Sequence, residues 1–227
     1  MSEPSLAARL AEVRAVVAEQ QARGGWSHPV RLIAVTKTHG PATVRAAAAA
    51  GLTDVGENRV QEALPKQDAT ADLPLHWHLI GTLQRNKARQ AVGRFALIHS
   101  VDREELALEL DRRVADGARQ AVLVQVNCSA EPQKGGVEPE AALTLLDRLR
   151  ACPRLDVRGL MTMASFDADE AEQRRTFARL RVLRDAARAE GHDLPELSMG
   201  MSHDFAAAVA EGATMLRLGT ILFGSRG

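Results

Sequence analysis

Of the 29 basic side chains in this sequence only four are lysines (Lys37, Lys66, Lys87 and Lys134), and Lys37 is the one whose surroundings point to a reaction. It ends the run Ala34-Val35-Thr36-Lys37 and shares the parity of Ile33 and Val35. On a strand that turns Ile33 and Val35 inward, Lys37 finishes the inward row with an amine. Apolar walls disfavour the ammonium form and favour the uncharged amine that condenses with a carbonyl. The plainer reading is a surface lysine at a strand end. Near the C-terminus, Arg217-Leu218-Gly219-Thr220 joins a cation to a small residue and a hydroxyl, and Ser198-Met199-Gly200-Met201-Ser202 adds another glycine and two hydroxyls. Such residues ahead of a short helical turn let backbone N–H groups approach a phosphate. Ser202 equally suits the cap of a helix starting at His203, and the two roles are compatible.

Other polar residues are secondary candidates. Asn58, after Gly56-Glu57, offers an amide to an imine or a ring hydroxyl, or caps a helix. His76, His78 and Ile80 share one strand face while Trp77 takes the other, which lets one histidine, His78, lie under a cofactor ring. A metal pair is the alternative there, but no third ligand stands at sensible spacing, so no metal is expected. Met161 and Met163 read as packing, and Cys128 precedes a Gly-rich loop over residues 131–137 that suits a mobile rim segment. Gly219-x-x-x-x-Gly224-Ser225-Arg226 imitates a nucleotide phosphate loop without its lysine and is rejected as one.

These residues need a scaffold that gathers strand ends. Leu6, Leu10, Val13 and Val17 repeat at helical spacing up to Gly24-Gly25 and predict an N-terminal helix. Beyond it, eight apolar runs (30–36, 53–56, 75–80, 95–100, 121–126, 155–161, 196–198 and 213–218) alternate with helical patterns such as Leu106/Leu110/Val114, Ala142/Leu145/Leu146/Leu149 and Phe177/Leu180/Leu183/Ala187. At about 24 positions per unit this suits right-handed βα crossovers. The expectation is one α/β domain over residues 1–227, a (β/α)8 TIM barrel with an extra N-terminal helix. A doubly wound open sheet is disfavoured because Gly-x-Gly-x-x-Gly is absent from the sequence. Barrel enzymes react at the C-terminal ends of their strands, and closure makes the first and last strands neighbours, so Lys37 and Arg217 should stand side by side.

An amine, an arginine and a Gly/Ser/Thr phosphate cradle describe a site for a phosphorylated aldehyde, and pyridoxal 5′-phosphate is the cofactor expected, with Lys37 as its Schiff-base lysine and Arg217 facing the pyridine nitrogen. A permanently cationic partner does not favour a protonated ring nitrogen, so the cofactor would be a weak electron sink. A Schiff-base lyase acting on a phosphorylated sugar without cofactor would use the same groups.

Composition narrows the class. The 227 residues are 45% hydrophobic and 26% charged, Lys+Arg balances Asp+Glu at 29 each, and the pI is about 7.1, which argues against nucleic-acid and membrane partners. Two cysteines give no disulfide framework, the start Met1-Ser2-Glu3-Pro4 has no signal-peptide pattern, and no apolar run approaches the roughly 18 residues of a membrane span, so a cytoplasmic location is expected. Tyrosine is absent, which excludes a tyrosine acid or base.

Six ordered blocks then carry a resemblance: Ala34-Val35-Thr36-Lys37-Thr38, Gly56-Glu57-Asn58-Arg59-Val60-Gln61-Glu62, Trp77-His78-Leu79-Ile80-Gly81-Thr82-Leu83-Gln84-Arg85-Asn86-Lys87, Gly159-Leu160-Met161-Thr162-Met163, Leu197-Ser198-Met199-Gly200-Met201-Ser202 and Arg217-Leu218-Gly219-Thr220-Ile221-Leu222-Phe223-Gly224. From about residue 6 onward the chain resembles the pyridoxal phosphate homeostasis family (YggS/PROSC type). The resemblance implies a barrel like the N-terminal domain of bacterial alanine racemase, an imine on Lys37, Arg217 at the ring nitrogen, and Ser202, Gly219 and Thr220 on the phosphate. It implies a carrier or buffer of the cofactor, expected as a monomer with apo-enzymes that use pyridoxal phosphate as acceptors, rather than an enzyme. Thr36, His39, Arg59 and Arg85 stand where the family more often has serine, lysine, tyrosine and a smaller polar residue. The alternative is an amino-acid racemase of low activity: two-base racemisation needs an acceptor on each face of Cα, and in alanine racemase the second is a tyrosine from another domain. Here there is no tyrosine, and few residues follow the last strand.

Overall fold

The computed structural model describes residues 4–129, 131 and 134–224; Pro132 and Gln133 of the 131–137 loop, and Ser225 and Arg226, lie outside the described residues. Helix α1 (Leu6–Gly24) starts where the Ser5 hydroxyl accepts the Ala8 N–H and ends at Gly25, whose φ of 70° is a left-handed cap. Leu10, Val13 and Val17 form its buried face, as their spacing predicts. Eight strands follow: β1 (Arg31–Val35), β2 (Asp54–Glu57), β3 (His76–Leu79), β4 (Leu97–Val101), β5 (Gln120–Gln125), β6 (Leu155–Met161), β7 (Glu196–Met201) and β8 (Met215–Leu218). The intervening helices are α2 (Pro41–Ala49), α3 (Val60–Ala69), α4 (Ala88–Ala91) after a 3₁₀ turn, α5 (Glu104–Arg113), α6 (Pro139–Leu149), α7 (Glu170–Ala189), α8 (Phe205–Ala210) and α9 (Thr220–Phe223).

The strands are all parallel and close in sequence order, β8 returning to β1 with Arg217 opposite Ile33. This is the (β/α)8 barrel with an extra N-terminal helix that the alternating runs predict. The 196–198 run is longer than its composition suggests, continuing to Met201 with a register shift against β8 between Ser198 and Met201. Gly200 makes that shift possible: its φ is 92°, and a Cβ there would lie 2.6 Å from the Ala208 side chain. Because α9 has four residues, β8 has no long helix of its own, and α1 packs against α8 and α9 in its place. Trp26 Nε1 donates to the Ala210 carbonyl at 3.0 Å and fastens the end of α1.

Two apolar layers result. The larger lies between barrel and helices and contains Trp77 and Leu79, the outward face of β3. The smaller, of Ile33, Leu97, Leu123, Met161 and Met215, fills the barrel interior. His78, His99, Ser198 and Arg217 are also buried.

Candidate functional site

A cavity of about 430 Å³ opens at the C-terminal mouth of the barrel. Lys37, Asn58, Ser202, Arg217, Gly219 and Thr220 all line it, so the structure brings together six of the seven residues singled out from the sequence. Its volume falls within the roughly 300–1,000 Å³ of small-molecule sites.

Lys37 leaves β1 at a turn held from two sides. The Thr36 N–H bonds the Gly56 carbonyl at 3.1 Å, and its hydroxyl donates to Glu57 Oε1 at 2.6 Å. Lys66 Nζ, from α3, donates to the same carboxylate oxygen at 2.7 Å and to the Thr36 carbonyl at 2.8 Å. Thr38 then takes a φ of 68°, a left-handed value rare for a β-branched residue. Lys66 is thus a buried structural partner rather than a surface charge, and Glu57 is fully buried, its Oε2 lacking a hydrogen bond among the described residues.

Arg217 is 3% exposed. Nη1 donates to Ser198 Oγ at 2.6 Å and Nη2 to the Thr162 carbonyl at 2.8 Å. Burial lowers its guanidinium to about 10, with Asp204 pulling the other way, so it remains a cation near neutrality. Ser202 does not cap α8, whose N-cap position is Asp204. Its hydroxyl crosses to the next turn and accepts the Gly219 N–H at 3.1 Å and the Ile221 N–H at 3.2 Å. The hydroxyl therefore already occupies the amides from which an anion site would be built. Asn58 is not a cap either, because Arg59 holds that position of α3. The Asn58 backbone is pressed against Gly81, where a Cβ would meet the Asn58 carbonyl oxygen at 2.3 Å.

His78 departs from expectation. Its parity is inward as predicted, but it sits too deep to line this cavity, and Ile80, two residues further along the same face, reaches it instead. Both ring nitrogens of His78 are engaged, Nε2 with Asp54 Oδ1 and Nδ1 with His99 Nε2, each at 2.9 Å. His78 instead borders a second cavity, of about 320 Å³, at the N-terminal mouth. Residues that sequence reasoning passed over include Thr82, Gln125, Phe166 and His203 on the C-terminal cavity wall. Gln125 was legible as the inward end of β5; Phe166, 78% exposed and tilted against the His203 ring, carries no periodic signal. Part of the 131–137 loop is tied down, Gln125 Nε2 donating to the Gly135 carbonyl at 2.7 Å and Lys134 Nζ to the Ala164 carbonyl at 2.8 Å. Burial pushes the Cys128 thiol up to about 11, which keeps it protonated and unreactive. Among the described residues no group of three His, Cys, Asp or Glu side chains is placed to hold a metal ion, and no helix is long and apolar enough to cross a membrane.

Residues 9–227 match the family described as Alanine racemase, N-terminal domain. The chain is 46% identical over 225 residues to a Pyridoxal phosphate homeostasis protein of Pseudomonas aeruginosa, covering 98% of this chain and 96% of that one. It is 46% identical over 198 residues to the protein of the same name from Aquifex aeolicus, covering 86% and 87%. Among solved structures, PipY of Synechococcus elongatus, 43% identical, superposes without PLP at a TM-score of 0.87 over 97% of this chain and all of that one. Its PLP-bound form gives 0.81 over 92% of this chain. Alanine racemase of Clostridium difficile, at 13% identity and a TM-score of 0.74, shares the fold over 93% of this chain and 59% of its own.

Proposed function

Because the chain belongs to the pyridoxal phosphate homeostasis proteins, within the alanine racemase N-terminal-domain family, we propose that it binds pyridoxal 5′-phosphate in the C-terminal cavity, as a Schiff base on Lys37, and serves as a carrier or buffer of that cofactor. The observation that carries this reading is the convergence of Lys37, Asn58, Ser202, Arg217, Gly219 and Thr220 on one cavity of suitable size. The PLP-bound PipY structure supports it.

The residues present fit the group. When bound, pyridoxal phosphate supplies an aldehyde that can pass between amines and a phosphate that needs several donors. Lys37 provides the amine at the inward end of β1, and the Thr36, Glu57 and Lys66 contacts fix the backbone from which it projects. The hydroxyls of Ser202 and Thr220 would provide donors for the phosphate, the Gly219 and Ile221 amides being engaged by Ser202 itself. Since the Ser202 hydroxyl accepts the Gly219 and Ile221 N–H groups, it orders that turn in advance and keeps its own proton to donate. Arg217, held on two oxygens, is a fixed cation that would face the ring nitrogen and disfavour its protonation, which suits storage better than carbanion chemistry. Asn58 offers its amide at the same wall.

We read residues 1–227 as one domain, acting as a monomer in the cytoplasm and handing the cofactor to apo-enzymes. The free, buried Cys128 and Cys152 support a reducing compartment. His203 on the cavity wall is the group a racemase reading would need as second base, in place of the missing tyrosine. The test is D/L interconversion of amino acids by the loaded protein, alongside transfer of its cofactor to an apo-enzyme. The carrier reading expects transfer without interconversion above the rate of free cofactor. Interconversion that disappears in both Lys37→Ala and His203→Gln would replace it with the racemase reading.

A further inference from the structure

A line of polar side chains runs through the barrel interior from one mouth to the other. Arg217 Nη1 meets Ser198 Oγ at 2.6 Å, and Ser198 Oγ meets His99 Nδ1 at 2.9 Å. His99 Nε2 meets His78 Nδ1 at 2.9 Å, and His78 Nε2 meets Asp54 Oδ1 at 2.9 Å. Arg217 lines the C-terminal cavity, while Asp54 lines the N-terminal one. We infer that Asp54 is a positioning residue for Arg217, acting from the opposite mouth through a one-way hydrogen-bond chain of His78, His99 and Ser198.

The two ends determine the direction. A guanidinium only donates, so Ser198 Oγ accepts from Arg217 and has one proton left to give. A carboxylate only accepts, so His78 must carry its proton on Nε2 and offer Nδ1 as an acceptor. His99 Nε2–H then fills His78 Nδ1, His99 Nδ1 is left as an acceptor, and the Ser198 hydroxyl fills it. Four protons make four bonds with both imidazoles neutral. The opposite direction would need His78 as an imidazolium, donating from Nε2 to Asp54 and from Nδ1 to His99, with Ser198 Oγ accepting from both His99 and Arg217.

The surroundings favour the neutral rings. Burial lowers His78 and pushes His99 well below the ordinary histidine value. Burial pulls Asp54 upward, but the hydrogen bond from His78 and the nearby charge of Arg31 oppose it, and the carboxyl lies below its ordinary value. At the Asp54 end, Arg31 stands 3.8 Å from both Asp54 and Glu196, and His76 stands 4.0 Å from Asp54. Among the described residues the hydrogen-bond acceptors of Arg217, the Ser198 hydroxyl and the Thr162 carbonyl, are uncharged. The chain therefore connects this buried cation to an ionised carboxylate, with every intervening dipole aligned. Its structural consequence is that the Ser198 proton is committed to His99, which turns the oxygen lone pairs towards Arg217 and holds the guanidinium plane. The link to the cofactor rests on the function proposed above; the chain itself does not.

The experiment uses the cofactor-free protein labelled with ¹⁵N at histidine and arginine. Long-range ¹H–¹⁵N spectra, assigned with His78→Gln and His99→Gln, should show both rings neutral with the proton on Nε2 across the neutral range. Asp54→Asn should move the His99 and Arg217 signals although it touches neither. Ser198→Ala, which cuts the chain beside Arg217, supplies the same readout from the other end, through His78, should Asp54→Asn not fold. A proton on Nδ1 of either ring, an imidazolium near neutrality, or His99 and Arg217 signals indifferent to Asp54→Asn would overturn the inference. Asp54→Asn should then weaken cofactor retention by at most about tenfold, the worth of one net hydrogen bond, with Lys37 still the residue modified. A wild-type protein that never binds the cofactor would overturn the proposed function while leaving the spectra to decide the chain.

Discussion

Lys37 owes its setting to residues that do no chemistry themselves. Lys66 neutralises a fully buried Glu57 while holding the Thr36 carbonyl, so removing it strands a charge in the interior. Lys66→Met should cost about 3–5 kcal/mol in denaturant unfolding, and the double variant Lys66→Met/Glu57→Leu considerably less, because two matched apolar replacements leave no orphan charge. A double variant as unstable as the single would contradict this account of the pair. His99 gives a pH signature. Its folded-state value lies well below the ordinary one, so the unfolded chain binds a proton that the folded chain refuses. Stability from this group is complete above about pH 6.5 and is lost as pH falls from there towards the folded value. Wild type should lose stability over that window more steeply than His99→Gln; parallel pH profiles would show that His99 is not buried neutral.

The alternation of runs and helical patterns was enough to give eight parallel units, because each βα unit writes its own periodicity. The 155–161 run matches β6 residue for residue. Residues at strand ends were equally legible, parity and position sufficing for Lys37, Arg217 and the Gly219-Thr220 turn. Depth along the barrel axis was not legible: His78 has the predicted facing but lies one layer below the cavity. Its contact with His99, and that of His99 with Ser198, 99 positions away, depend on inter-strand register, which no local pattern encodes. The use of α1 to cover the place beside α8 was also unreadable, since it follows from the shortness of α9. Trp26 tests that arrangement, bonding the Ala210 carbonyl while the Arg181 guanidinium stacks 5.8 Å from its ring. Trp26→Ala should cost about 3 kcal/mol, the lower end for losing a packed aromatic. A change under about 1 kcal/mol by thermal unfolding would mean that α1 is held by other contacts.

At the scale of the whole molecule, the barrel sets the lysine-bearing C-terminal mouth apart from a polar N-terminal one and packs its interior between them. The charge balance of the chain gives no net steering field, so on the proposed reading recognition of a phosphorylated aldehyde would rest on the local donors at the C-terminal mouth. Among the described residues that mouth gathers an amine, a buried cation and a hydroxyl-bearing turn, a set suited to holding the cofactor reversibly. The alanine racemase of Clostridium difficile carries the same fold over 59% of its own chain, and a shared barrel does not by itself fix function. The decisive measurement is the site of attachment. Purified protein is incubated with pyridoxal 5′-phosphate, its visible spectrum recorded, and the complex reduced with borohydride and peptide-mapped. The expected result is an absorbance band absent from Lys37→Ala and a reduced adduct on Lys37. A colourless protein with Lys37 unmodified would contradict the cofactor site and leave a cofactor-free Schiff-base lyase as the reading for the same residues.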